Sequence, residues 1–355
     1  MRCIPVLLYC ALLSSGAGAA DTTIAFGSCL RQWNPAPILD SVRALKPDLF
    51  IFAGDNVYSD NGPYRYEEEP ERIALAYMEL GGKPRFEALR QSTRLLATWD
   101  DHDYGRNNAG AEYPWKQAAK EAFMEFFDIA DDAPVRQHPG VYSAHDIGPP
   151  DSRIQVVLLD TRSFRGPLRD APPDQQCPDG RLVAVNDSSS SLLGEQQWAW
   201  LEDRLREPAA LRLIVSSIQV IPDRHCFEKW GNFPRERARL LKQVAGSGVR
   251  TVFLSGDRHL GEISMLPAQP GTLPLYEVTA SGLNAAGAGR GEYNPYRVTR
   301  DNVRVDHFGV VRYRRTSATV ELALHDTRGT PLQQYFLDYP TWLLQTRESI
   351  ALPQP

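Results

Sequence analysis

Short apolar runs alternate with amphipathic stretches along most of the chain, the periodicity of an α/β domain. Thr23–Gly27, Leu49–Ala53, Leu95–Trp99, Ile154–Leu159, Leu213–Ser217 and Thr251–Leu254 are predicted as strands. Helical spacing predicts helices over Pro37–Leu45, Glu71–Gly81, Trp115–Phe127, Glu195–Arg206 and Arg235–Ala245. In the fourth of these, Trp198, Leu201 and Leu205 fall on one face. The pattern then changes: Leu275–Ala280, Phe308–Tyr313 and Ala318–His325 read as antiparallel strands, with no long crossover helix between the last two. Phe164 to Ser191, rich in Pro, Asp, Gly and Ser, reads as a long surface excursion. The glycines at Gly287–Gly291 lack the spacing and strand–helix setting of a dinucleotide loop.

Composition narrows the picture. The 355 residues carry a net charge of −5 with both signs mixed, which excludes a strongly basic nucleic-acid binder. Arg2, the apolar run Ile4–Leu13 and the Ala17-x-Ala19 triplet read as a Sec-type secretory signal peptide over residues 1–20. Its apolar core is too short for a membrane anchor, so the expected location is periplasmic or secreted. A single domain is expected over residues 21–345, with a tail over 346–355. Removing the signal leaves Cys29, Cys177 and Cys226, an odd number that keeps one thiol outside any internal pair. Cys177 and Cys226 lie in loop segments and are expected to pair. Closing a loop of about 50 residues stabilises by roughly 3–4 kcal/mol in the chain-entropy model.

The polar residues gather where apolar runs end. One run leads into Ser28-Cys29, a second into Gly54-Asp55-Asn56-Val57-Tyr58, a third into Asp100-Asp101-His102-Asp103, and a fourth into Gly256-Asp257-Arg258-His259. Each has an ordinary reading alone, as a turn, a cap or a buried small residue. In open α/β sheets, however, ligands bind beyond the carboxyl ends of the strands. Carboxylates crowded there repel one another unless a cation neutralises them. Acids with few imidazoles favour hard cations, and a thiol and a phenol add preference for a transition metal. Two metals sharing one carboxylate suit in-line attack at phosphorus.

These segments, with Asp160-Thr161-Arg162 and Leu193-Gly194-Glu195-Gln196-Gln197-Trp198, resemble the PhoD-like (alkaline phosphatase D) family of calcineurin-like metallophosphoesterases in order and spacing from about Thr23 to Gly309. The resemblance implies a four-layer α/β/β/α sandwich, here without the N-terminal β-domain of larger members. It also implies phosphomonoesterase or phosphodiesterase activity that depends on iron and calcium. Carried over by position, Cys29, Tyr58 and His259 would hold the transition metal, Fe3+. Asp55 would bridge it to one or two Ca2+, with Asp101 and Asp257 on the calcium side. His102 is the expected general acid or transition-state donor, Asn56 a contact to calcium or phosphate, and Arg162 and Arg258 partners for phosphate oxygens. Gln219 is a weaker candidate for the site wall.

The expected reaction is attack on phosphorus by hydroxide generated at the metals. The expected substrate is a small phosphate ester or a phospholipid headgroup, with Tyr64, Tyr66, Trp230, Tyr293 and Tyr296 as candidate walls of its pocket. Two other classes remain open. One is a cysteine hydrolase with Cys29 as nucleophile and His102 or His259 as base. The other is a noncatalytic protein that uses the metals structurally.

Overall fold

The first third of the chain forms β1 (Thr22–Gly27), α1 (Ile38–Leu45), β2 (Leu49–Ala53), α2 (Glu71–Gly81), α3 (Pro84–Ser92), β3 (Leu95–Thr98), a one-turn α4 (Asp101–Tyr104) and α5 (Lys116–Phe126). The middle adds β4 (Ser143–Ile147), β5 (Ile154–Leu158), the short pair β6 (Arg169–Asp170) and β7 (Leu182–Val183), α6 (Gly194–Arg206), β8 (Leu211–Ser216) and α7 (Pro234–Gly246). β9 (Thr251–Ser255), β10 (Gly261–Leu266), β11 (Leu275–Ala280), β12 (His307–Arg314), β13 (Thr319–Asp326) and β14 (Pro331–Leu337) complete it. This computed structural model describes residues 21–338 except 67–68, 176, 178–179 and 188–189. The expected signal peptide (1–20) and tail (346–355) lie outside the described residues.

Two six-stranded mixed sheets result, in the orders β14-β13-β12-β1-β2-β3 and β10-β11-β9-β8-β5-β4. β1, β2 and β3 run parallel, as do β5, β8, β9 and β11. The period-2 alternation of each strand decides which layer its side chains enter. In β2, Leu49, Ile51 and Ala53 join the core shared with β5, β8, β9 and β11, while Phe50 and Phe52 join residues of α1, α2, α3 and α5. In the second sheet, Val157, Ile214 and Phe253 turn the other way, toward Trp198 and Leu201 of α6 and Leu240 of α7. Burial on both faces explains why β2 and β9 read as apolar runs and why β5 and β8 are apolar apart from the buried Gln155 and Arg212, which bond each other. The layers are α/β/β/α, as expected.

Helix α2 has the predicted bounds, and the other predicted helices fall within a residue of theirs at each end. The sequence reading omitted α3, β4, β10 and β14. The excursion from Phe164 to Ser191 is more ordered than its composition implied. It contains the β6–β7 pair, and Arg181 and Leu182 donate backbone hydrogen bonds to the Cys226 carbonyl. Cys177 and Cys226 form a disulfide across a sequence separation of 49. The bridge therefore ties the excursion to the loop after β8. Replacing both cysteines by serine should lower the unfolding free energy by about 3–4 kcal/mol in denaturant titration. An unchanged midpoint would show that the clasp contributes nothing to global stability.

Candidate metal centre

At the carboxyl ends of β1, β2 and β9 the chain repeatedly enters the left-handed region with residues that carry a Cβ. Cys29 (φ 63°), Asp55 (50°), Asp257 (66°) and His259 (54°) do so, and all four are predicted ligands. Such a backbone costs on the order of 1–3 kcal/mol per residue and persists only where its surroundings over-determine it. Here they do. The Asp55 carbonyl accepts from Leu30 N at 2.9 Å, and the His259 carbonyl accepts from the amides of Gly287 and Ala288. Ser281 Oγ accepts from His259 N at 2.7 Å and lies 3.1 Å from Cys29 Sγ. Gly54, at φ 99°, brings β2 against the other elements: a Cβ there would lie 2.7 Å from Asp100 Cβ and 2.9 Å from Ser217 Cβ.

The side chains converge as two donor groups. Cys29, Asp55 and His259 have one ligand atom each within 4.8 Å of one another, and so do Asp55, Asp101 and His102. Asp55 belongs to both. The Tyr58 hydroxyl joins the first group, donating to Asp55 Oδ2 at 3.2 Å and lying 2.9 Å from His259 Nε2. Asp257 stands outside both groups but lines the same cavity of about 660 Å³ as Asp55, His102, Arg258 and His259. Asn56 is fully buried; its Nδ2 donates to the Thr98 carbonyl and to Asp103, and its Oδ1 has no hydrogen-bond partner. Asp101 Oδ1 is likewise buried without a partner. Orphaned acceptors beside clustered carboxylates, a thiol and an imidazole fit cations.

The electrostatics point the same way. Burial, with Cys29 beside it, pushes the Asp55 carboxyl well above its usual range. Burial and the charges of Asp100 and Asp101 do the same to Asp257. Burial raises the Cys29 thiol to about 11 and, despite Arg162, Asp100 to about 7; Asp103 is raised to about 8. Burial and nearby cations lower His259 to about 4, which leaves it the neutral imidazole that a metal requires. For His102, burial opposes the charged ring, but Asp101, Asp55 and Asp60 outweigh it and hold its pKa well above the ordinary value.

Two expectations change. Arg162 is fully buried beneath the site, with Nε donating to Asp100 Oδ1 at 2.7 Å and Nη1 to Glu228 Oε2 at 2.8 Å. Its donors serve these acids, so its place in the structure is that of a support for Asp100 and not of a phosphate contact. Trp230, expected on a pocket wall, is core: it is fully buried with Nε1 donating to Ser216. Tyr66 and Tyr293 are exposed, and none of the five aromatic candidates lines the cavity. Gln219 lies fully buried, bonded to Glu262 and Thr279. Sequence reasoning missed Asp60, whose Oδ1 lies 2.5 Å from His102 Nδ1, and Glu228, which also meets Arg165.

The family model for PhoD-like phosphatases matches residues 24–324. The chain belongs to the PhoD-like phosphatase family. Its membership supports a phosphoesterase hydrolase. Among solved structures, that of PhoD has a TM-score of 0.69 at 17% identity, covering 91% of this chain and 69% of that one. GAP50, described as the anchor in the inner membrane complex of Plasmodium, has a TM-score of 0.56 at 11% identity, covering 90% and 89%. These likenesses concern the fold. No curated protein matches in sequence. Among the described residues of this PhoD-like chain, no helix is long and apolar enough to cross a membrane.

The raised acids give a signed pH dependence. In chelated protein, folded Asp100 and Asp103 keep protons that the unfolded chain releases near its ordinary pKa of 3.8. The stability they contribute is complete below about pH 4 and is lost as pH rises through about 7–8. The melting temperature of chelated protein should therefore fall across that window, and added metal should reverse the fall. A melting temperature that rises or stays flat in chelator would contradict this.

Proposed function

We propose that this chain is an exported, metal-dependent hydrolase of phosphate mono- or diesters. The observation that carries the reading is Asp55, shared between two donor groups that differ in chemistry. Cys29, Tyr58 and His259 would hold a transition metal such as Fe3+, and Asp101 and Asp257 would hold calcium, with Asp55 between them. Asn56 has spent its amide donors and retains a free acceptor, which suits calcium better than phosphate. When bound, the metals supply Lewis-acid neutralisation of phosphoryl charge and a source of nucleophilic oxygen at neutral pH.

The chain's own groups supply the rest. Asp60 engages His102 Nδ1, leaving Nε2 as the nitrogen available to a substrate. The His102 ring also rests on Tyr58, with centroids 4.3 Å apart. Held in this way, and protonated by the acids around it, His102 can give a proton to the departing oxygen. Arg258 lines the cavity with its guanidinium 3.9 Å over the Phe227 ring and paired with Glu292, which fixes its fork for phosphate oxygens. A cysteine nucleophile is disfavoured: Cys29 is fully buried, out of reach of a substrate, and in the absence of a cation burial disfavours its thiolate.

Asp55→Asn should remove the shared charge, lowering metal content and reducing turnover on aryl phosphates by at least about a thousandfold. Wild-type metal content and turnover in that variant would end the two-metal reading. His102→Ala should keep its metals yet lose rate by about 10²–10⁴-fold, most for poor leaving groups. Equal losses for good and poor leaving groups would remove the acid role.

A further inference from the structure

A second cavity, of about 670 Å³, begins at Leu30 and Arg31, the residues immediately after the ligand Cys29. Four cationic side chains line it: Arg31, Arg43, Lys83 and Arg85. Two carboxylates answer them. Asp40 is shared between Arg85 at 2.6 Å and Arg43 at 3.5 Å, and Glu79 takes Lys83 at 2.7 Å. These pairs are a quarter to a half exposed, so each is weak and open to exchange for a stronger anion. The wall keeps an excess of positive charge. Helices α1 and α3 both begin at this wall, through Leu39 and Asp40 and through Pro84 and Arg85, adding the positive ends of their dipoles.

Arg31 connects this groove to the metal centre. Its guanidinium lies 5.6 Å from the centroid of the Tyr58 ring. Trp33, also on the groove wall, meets the same Tyr58 ring edge-on at 6.1 Å. A ligand in the groove would therefore lie beside the Cys29–Tyr58–His259 side of the centre. Resting on the phosphoesterase reading above, we propose that this groove receives a second phosphoryl group of the substrate. The preferred esters then carry two phosphates, one at the metal centre and one among Arg31, Arg43, Lys83 and Arg85.

The test compares alkyl monophosphates with alkanediol bisphosphates of matched chain length. The metal-loaded wild type should show kcat/KM at least about tenfold higher for the best bisphosphate, as expected for one charge-assisted contact, and the advantage should shrink with added salt. An Arg43→Gln, Lys83→Gln, Arg85→Gln triple variant should lose that advantage while keeping the monophosphate rate. No bisphosphate advantage in the wild type, or an undiminished one in the triple variant, overturns the proposal. If neither ester is hydrolysed, and aryl phosphate mono- and diesters are not hydrolysed either, the phosphoesterase reading fails, and calorimetry with alkane bisphosphonates still decides the groove. Tighter binding than the monophosphonate in wild type only supports it; equal binding overturns it. Inorganic phosphate binding that the triple variant loses, without any bisphosphate advantage, would mark a free-phosphate site and overturn it as well.

Discussion

Three strands, β2, β3 and β9, deliver carboxylates to one largely buried place, β1 adds a thiol, and the local structure is organised around that crowding. Asp55 is buried beside Cys29 and within reach of Asp101, so burial and neighbouring charge oppose its ionised form. Left-handed backbone at Cys29, Asp55 and His259 accompanies the convergence of their donor atoms as their strands end, and the left-handed Asp257 lines the adjoining cavity. Gly54 removes the one Cβ that would keep β2 from Asp100 and Ser217. These features cost stability in isolation, and on the proposed reading cation binding offsets them.

A second layer of charge holds the first in register. Arg162 and Arg165 are fully buried with Asp100 and Glu228, four charges that compensate one another beneath the site. Such a network contributes little net stability because desolvation nearly cancels the attraction. Its effect is geometric: Asp100 also accepts from Ser217 at 2.6 Å, joining the end of β3 to the end of β8. The two sheets are thereby coupled at the edge where their ligands meet. On the open side, the disulfide-tied excursion contributes Arg181 and Leu182 to the cavity wall.

Much of this was legible along the chain because burial on both faces leaves a strand mostly apolar until it ends. The transition from Leu49–Ala53 to Asp55 marks both the strand and the ligand. The omitted elements lack that contrast. In β10, Glu262 and Ser264 interrupt the apolar pattern, yet they are buried and satisfied by Gln219, Arg297 and Asn294. Helix α3 buries only Phe86 and Leu89, and β14 is an edge strand with exposed residues on both faces. The site residues that escaped notice owe their roles to distant partners. Asp60 meets His102 across 42 positions, and Glu228 meets Arg162 across 66. Arg162 was visible as an arginine after a strand, but only the fold shows it enclosed by acids.

The proposed centre requires two cations flanking one carboxylate. Anomalous diffraction from crystals of the active protein, collected at the iron edge and at longer wavelength for calcium, measures this. The predicted result is an iron peak bounded by Cys29, Tyr58 and His259 and a calcium peak bounded by Asp101 and Asp257, with Asp55 touching both. Active crystals with one peak, or with two peaks that do not share Asp55, would contradict it.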